Sequence, residues 1–282
     1  MEIAGWYYYN HAMIPSVAPH ETVNLEPIKN GEFWKMKDCR PLLARWTSEY
    51  DCEYDTNWWY VIKDSRFDIS ELKAKRRYEI NKGIKNFDVK VIDPINYADE
   101  ICGVYKEALN GYPLRYRPTF DENEFKRNIY DEWKTKRIYG GFDRKDGKLC
   151  GYALLTIHEN YVSFNVLKTI PVCEKKAINA AMVNGILEDF EDTLCREFYI
   201  CDGERNIAHE TDFQNYLEKY FDFRKAYCTL NVVYRPSVAI VVNILYPFRK
   251  ILKKFECNGL MHNIVSVLYM EELNRNAWKG RK

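Results

Sequence analysis

The stretch from Arg137 to Arg235 constrains the fold most. Its signals follow one another as hairpin, strand, long helix, strand, capped helix and strand, with little loop between them. In IYGGFDRKDGKLCGYALLTIHE, Asp146 and Gly147 supply the positive-φ turn between two β-rich runs. YVSFNVLK from Tyr161 predicts a third strand. Between Glu174 and Asp192, the residues Ala177, Ile178, Ala181, Met182, Ile186 and Phe190 recur at helical spacing, which predicts one helix with its apolar face on the sheet. REFYIC from Arg196 predicts a short buried strand. Thr211 and Gln214 read as a capping box opening a helix that ends near Phe221, and FRKAYCTLNVVY continues as a strand closed by Pro236.

Upstream, GWYYY and WWYVIK predict strands whose bulky rings need cover from water. Asp68 or Ser70 is placed to cap a helix from Glu71 to about Asn86 that carries the basic run KAKRRYEINKGIK. With Ala74, Tyr78 and Ile80 or Gly83 inward, most of its charges face water; the alternative use is an RNA or phospholipid headgroup. DVKVID predicts a strand, Tyr97 to Asn110 a helix, and Asp121 to Lys136 a second helix with Asp121 and Glu124 as its capping pair. Between these helices the two prolines of GYPLRYRPTF hold Arg115, Tyr116 and Arg117 on a loop. Downstream, SVAIVVNILYPFRKILKKF from Ser237 joins an apolar run to a basic one. Pro247 is expected to break its helix, with Val241, Ile244, Leu245 and Phe248 covering a flank of the protein; the other use is an anionic membrane surface. Residues 258 to 282 predict a terminal helix with Leu260, Ile264, Val267 and Leu268 on one side.

Composition removes several function classes. A formal charge of +1 over 282 residues leaves no global field to gather nucleic acid or anionic lipid. Nine cysteines without a CxxC pair or a zinc-spaced Cys/His cluster predict free thiols, a reducing cytoplasmic compartment and no metal. The N-terminus lacks a basic region followed by a long apolar one, and no run reaches the roughly 20 apolar residues of a membrane span. The phosphate-loop, dinucleotide-fold, nucleophile-elbow and HExxH motifs are all absent, so kinase, dehydrogenase, α/β-hydrolase and zinc protease readings have no support.

The element order from residue 87 to 235 resembles the GNAT acyltransferase fold. The details that carry the likeness are KDGKLCGYALL from Lys145 and YLEKYFDFRKAY from Tyr216, which resemble the hairpin and the helix-to-strand corner of that superfamily. WWYVIKD followed by ELKAKRRYEINKGIKNFDVKVI resembles the entry into FemAB-like aminoacyl transferase domains and into the C-terminal domains of phosphatidylglycerol lysyltransferases. The resemblance, spanning roughly residues 58 to 235, implies an α/β fold with a mixed, mostly antiparallel central sheet flanked by helices. It divides the chain into an aromatic-rich extension over residues 1–66 packed on the core, an acyltransferase domain over 67–236 and a C-terminal helical segment over 237–282.

The function implied is N-acyl transfer from acyl-CoA, acetyl-CoA for example, to a primary amine on a small or conjugated acceptor, with no metal. The alternatives are an aminoacyl-tRNA donor and a non-catalytic ligand-binding or interaction protein. In families of this kind the sheet splays between the strands matching Tyr161 to Lys168 and Arg196 to Cys201, and the donor's arm lies along Val166, Leu167 and Lys168. The pyrophosphate sits at the next helix N-terminus, here TIPVCEKKAIN, with Cys173, Lys175, Lys176 and Ala177 as the corresponding residues and without the usual glycines.

CDGERNIAHET, Cys201 to Thr211, is the densest polar constellation and follows the splayed strand, where rigid scaffolds place reactive groups. Acyl transfer to an amine needs a base and an acid. Asp202, Glu204 and His209 are candidate bases, and Tyr216, Tyr220 and Tyr227 candidate acids. Arg205, Asn206, Arg115 and Arg117 are candidates for binding a polar or anionic substrate group. Each has a plainer reading: Asp202 and Gly203 as a turn, Glu204 and Arg205 as an exposed pair, His209 as a neighbour of the helix cap, Tyr227 as core.

Overall fold

The alternating pattern resolves into eleven strands among the residues described by the computed structural model, 2–112, 117–207, 212–255 and 259–277. They are β1 (Glu2–Ile3), β2 (Trp6–Tyr9), β3 (Ala12–Pro15), β4 (Leu43–Ser48), β5 (Trp58–Lys63), β6 (Phe87–Ile92), β7 (Arg137–Asp143), β8 (Leu149–Ile157), β9 (Tyr161–Thr169), β10 (Tyr199–Glu204) and β11 (Arg224–Tyr234). The α-helical segments are α1 (Glu26–Lys29), α2 (Ala74–Asn86), α3 (Ala98–Asn110), α4 (Glu122–Asp131), α5 (Pro171–Glu174), α6 (Ile178–Asp189), α7 (Asp212–Phe221), α8 (Pro236–Leu245), α9 (Arg249–Leu252) and α10 (Gly259–Asn276). They fall into two units, one formed by Met1–Val61, Glu204–Asp212 and Lys225–Lys282, the other by Ile62–Gly203 and Phe213–Arg224. The two sequence flanks, residues 1–66 and 237–282, therefore lie largely within one unit.

In the second unit the strand order is β10-β9-β8-β7-β6. β10 runs parallel to β9, and the other neighbours are antiparallel. This is the mixed, mostly antiparallel sheet that the element order implies. The β7–β8 hairpin turns at Gly147, φ +72°, as the Asp146-Gly147 pair predicts. Helix α6 lays Ile178, Ala181, Met182 and Ile186 on the sheet, all essentially inaccessible to water. Gly141 of β7 admits it: a Cβ there would lie 2.5 Å from the Met182 Sδ.

Three local expectations are corrected. The helix predicted from Glu174 to Asp192 is interrupted. The short turn α5 stops at Glu174, Ala177 takes the left-handed conformation at φ +66°, and α6 starts only at Ile178. Pro171, fixed at the first turn of α5, starts a helical segment that the spacing of apolar residues alone does not separate from α6. Helix α2 starts at Ala74, because Asp68 instead caps a 3₁₀ turn over Ile69–Glu71 by accepting from the Ser70 N–H. Of its proposed inward residues, Ile80 and Gly83 are buried, whereas Ala74 is exposed and Tyr78 is 67% exposed. Helix α4 has its Asp121 cap, which accepts from the Asn123 and Glu124 N–H groups, but ends at Asp131.

In the first unit the order is β1-β2-β3-β4-β11-β5. β4 pairs antiparallel with β11 over six residues, from Thr229 opposite Ser48 to Tyr234 opposite Leu43. Trp58, Leu230, Met270 and Leu273 share one core, and Trp6, Met13, Phe33 and Ala44 another. Pro236 both closes β11 and opens α8 at its first turn, where a missing N–H costs nothing. Pro247 interrupts the helix as expected: α8 stops at Leu245, and Pro247 lies within a 3₁₀ turn, Tyr246–Phe248, that leads into α9 and a further turn at Lys253–Phe255. Val241, Ile244 and Phe248 remain exposed and do not cover the flank expected of them.

A close approach of α2 to α6 rests on Gly83. A Cβ there would lie 2.5 Å from the Ala177 carbonyl oxygen and 2.8 Å from the Ala181 nitrogen, both backbone atoms that cannot swing away. Gly83→Ala should therefore destabilise the protein by about 1–3 kcal/mol through overpacking, against a helix-propensity gain of about 1 kcal/mol. Urea denaturation reads the net effect, and a variant as stable as wild type would show that α2 can shift from α6 at no cost.

Candidate functional site

Strands β9 and β10 are paired through only three residues, Tyr161 with Tyr199, Val162 with Ile200 and Ser163 with Cys201. Beyond Ser163, β9 continues to Thr169 without a ladder partner in β10. On its other side β9 stays paired with β8, but the register shifts between Leu154 and Leu155, which leaves Asn165 as an extra residue opposite them. A bulge of this kind bends a strand and increases its twist. The splay expected between these strands is thus present, and it opens a cleft of about 710 Å³.

One wall of the cleft is Phe164 to Thr169. Asp202 of β10 and Phe213 of α7 contribute from another side, and Tyr112 from the end of α3. Phe164 and Phe213 meet edge to face, their centroids 5.6 Å apart, which gives the polar groups an apolar setting. Asp202 is half-buried at the point where β10 has left its partner. Burial pushes its carboxyl up to about 7, while a hydrogen bond with Gln214 pulls the other way. Gln214, buried on α7, also donates to the Gly203 carbonyl at 3.5 Å. The Lys168 ammonium donates to the Tyr112 phenol oxygen at 2.8 Å, which leaves the phenol proton to serve another acceptor. The Thr169 hydroxyl donates to the Asn179 side-chain oxygen at 2.9 Å and ties the end of β9 to the first turn of α6.

The structure brings together four of the residues singled out from sequence: Asp202, Val166, Leu167 and Lys168 all line the cleft. The helix turn that should receive a donor's phosphates looks different. Cys173 and Ala177 are buried, Lys175 is exposed, and the Lys176 ammonium is 2.5 Å from an Asp143 oxygen. Ile178, Ala180 and Ala181, in the first turn of α6, have 2% exposure or less.

Glu204 and Arg205 have other partners, in the first unit. The Glu204 carboxylate lies 2.5 Å from Arg45 and accepts from the Trp58 indole N–H at 3.1 Å. Arg205 stacks over Trp59 at 4.5 Å and donates to the Asn57 carbonyl at 2.8 Å, so the two are not an exposed pair with each other. Asn206 is exposed, and Tyr227 packs edge to face on Trp59. Tyr216 belongs to a ring cluster with Phe213, Tyr220 and Phe221, where burial raises its phenol well above the ordinary range. Arg117 donates to the Asn110 and Tyr112 carbonyls and so fixes the backbone that presents Tyr112. His209, Arg115 and Thr211 lie outside the described residues.

Tyr112, Asn165, Thr169 and Asn179 were not singled out from sequence. The available signal was two asparagines inside apolar segments, one in YVSFNVLK and one in KAINAAM. Among the described residues no group of three His, Cys, Asp or Glu side chains is arranged to hold a metal, and no helix is long and apolar enough to cross a membrane.

No family model matches the chain, and no curated protein matches its sequence. Solved structures do match. The C-terminal domain of a putative lysylphosphatidylglycerol synthetase from Agrobacterium fabrum aligns with TM-score 0.51 at 11% identity, over 85% of this chain and 84% of that one. L-PGS from Bacillus licheniformis aligns with TM-score 0.47 at 11% identity, over 85% and 83% of the two chains. FemX aligns with TM-score 0.44 at 9% identity, over 60% and 59%. The chain accordingly shares its fold with the Agrobacterium synthetase domain, and its α/β architecture with a mixed, mostly antiparallel sheet is the one implied by its element order.

Proposed function

We propose that the second unit transfers an acyl group from an activated ester to a primary amine bound in the cleft, with Asp202 as the proton acceptor. The observation that carries this reading is a half-buried carboxyl, poised near neutrality, where β10 parts from β9. A base working at neutral pH needs that midpoint. Asp202 as carboxylate takes one proton from the substrate ammonium, and the freed nitrogen lone pair attacks the acyl carbon. The tetrahedral adduct collapses with its bond to the leaving oxygen breaking. That oxygen keeps the electron pair and takes a proton from the Tyr112 phenol, while the nitrogen's surplus proton returns to Tyr112. The products are an amide and an alcohol, with one proton left on Asp202 for water to remove.

The donor we favour is an aminoacyl ester of tRNA. The first turn of α6 is buried against α2, and Lys176 is engaged by Asp143, which speaks against a diphosphate held there. Helix α2 also exposes Lys75 and Lys85 with Tyr78 between them and Lys82 half-buried alongside, a pairing of cations and an aromatic ring suited to RNA. Acyl-CoA is the second reading, favoured by the partnerless edge of β9 from Val166 to Lys168. The donors separate in one comparison. Replacing Lys75, Lys82 and Lys85 together by Ala should weaken binding of charged tRNA and lower the salt slope of log K by up to about 3. A melting temperature that rises with millimolar CoA, together with tRNA binding unchanged by the triple variant, would select acyl-CoA instead.

Asp202→Asn should lower turnover by about 10²-fold or more, and in the wild type kcat/KM should rise as pH increases through about 7, where Asp202 becomes ionised. Its effect on stability has the opposite sense. The folded midpoint lies above that of the unfolded chain, so the folded protein is favoured by holding this proton. That contribution is complete below about pH 4 and is lost as pH rises through about 7. The Asn variant should thus match the wild type near pH 4 and exceed it at pH 8, on the order of 4 kcal/mol, as read by thermal denaturation. An unchanged pH–rate profile in Asp202→Asn would remove Asp202 from the chemistry. Glu204→Gln should behave differently: breaking its pair with Arg45 should cost about 1–3 kcal/mol of stability and leave the midpoint near 7 in place. Loss of that midpoint in the Gln variant would assign the base to Glu204.

A further inference from the structure

The helical run from Pro236 to Phe255 carries its apolar side chains in an unusual place. Ile240, Val241, Ile244, Phe248, Ile251 and Phe255 are each more than half exposed. These six belong to a group of only eighteen exposed large hydrophobic side chains among the described residues, so a third of that group falls within sixteen consecutive positions. Ile240, Val241 and Ile244 lie within about 100° of one another on α8, and Phe248, Ile251 and Phe255 continue the exposed apolar series through the 3₁₀ turns and α9. The opposite side of the run is the one held by the protein. Val242 is buried, Arg249 donates to Glu272 of α10 at 2.9 Å, and Arg275 of α10 donates to the Asn243 side-chain oxygen at 2.7 Å.

Charge selects the occupant of the free side. Residues 236 to 255 contain Arg249, Lys250, Lys253 and Lys254 and no acidic residue. With Arg249 engaged by Glu272, the three lysines remain exposed within the same stretch of chain. An exposed apolar series interspersed with lysines, whose alkyl stems extend along apolar surface while their ammonium groups reach outward, fits the boundary between acyl chains and anionic headgroups. We infer that residues 240–255 form a docking surface for an anionic lipid bilayer, on which the helical run lies in the plane of the interface. This surface belongs to the first unit and does not depend on the chemistry proposed for the cleft.

Co-sedimentation of the full chain with vesicles tests it. Vesicles of equal parts phosphatidylserine and phosphatidylcholine should carry the protein down, and vesicles of phosphatidylcholine alone should carry much less. Replacing Lys250, Lys253 and Lys254 by Ser should weaken partition to the anionic vesicles by roughly a hundredfold. Ile244→Glu with Phe248→Glu should weaken it at least tenfold, and since both side chains are exposed, the melting temperature should not fall. Two results would overturn the inference. One is equal sedimentation of the wild type and both variants, or none at all. The other is a concentration-dependent dimer in analytical ultracentrifugation that the Glu variant abolishes, because a second copy of the chain would then cover the apolar series.

Discussion

The end of pairing between β9 and β10 after Ser163 and Cys201 is the constraint on which the cleft depends. Two parallel strands that continued together would place Asp202 beside Phe164 in an unbroken ladder and leave no volume there. Because they part, one strand presents its backbone edge from Phe164 to Thr169 and the other presents a carboxylate. The bulge at Asn165 lets β9 turn away while β8 continues to hold it. The cleft is therefore made by strand geometry, and side chains tune a space the backbone has already opened.

How the second unit treats its buried charges shows the same division. Lys63 is completely buried, and its ammonium donates to the Ser65 hydroxyl, the Asp222 carbonyl and the Asp222 carboxylate, so each of its protons has an acceptor. Asp202 receives less. Gln214 offers one favourable contact, desolvation outweighs it, and the carboxyl stays poised between its two states. The contrast is one of partners: three acceptors hold the Lys63 charge, whereas burial outweighs the contact from Gln214 at Asp202.

Much of the fold was legible because the signals were local. The Asp146-Gly147 turn, the Asp121 cap and the alternation in YVSFNVLK depend on residues a few positions apart. The misreadings occurred where a distant or subtle term decided the outcome. The break at Ala177 follows from one left-handed residue that is not glycine, and nothing in the spacing of its apolar neighbours announces it. Tyr78 was expected inward with Ala74, yet the buried residues of α2 are Ile80 and Gly83, where that helix approaches α6. Within the site, Asp202 and the Val166–Lys168 edge were accessible from element order. The partners of Glu204, Arg45 and Trp58, lie more than a hundred positions away, and only tertiary structure could pair them. Tyr112 sits at the start of a loop whose prolines were read without knowing which strand it faces.

The contact at Gly83 also ties two distant parts of the chain together. A glycine at position 177 would relieve the left-handed backbone there. It would leave the close approach of α2 unchanged, because Gly83 faces the Ala177 carbonyl oxygen and the Ala181 nitrogen, both backbone atoms. Two positions almost a hundred residues apart are thus coupled through the backbone: a side chain added at position 83 meets the carbonyl of position 177.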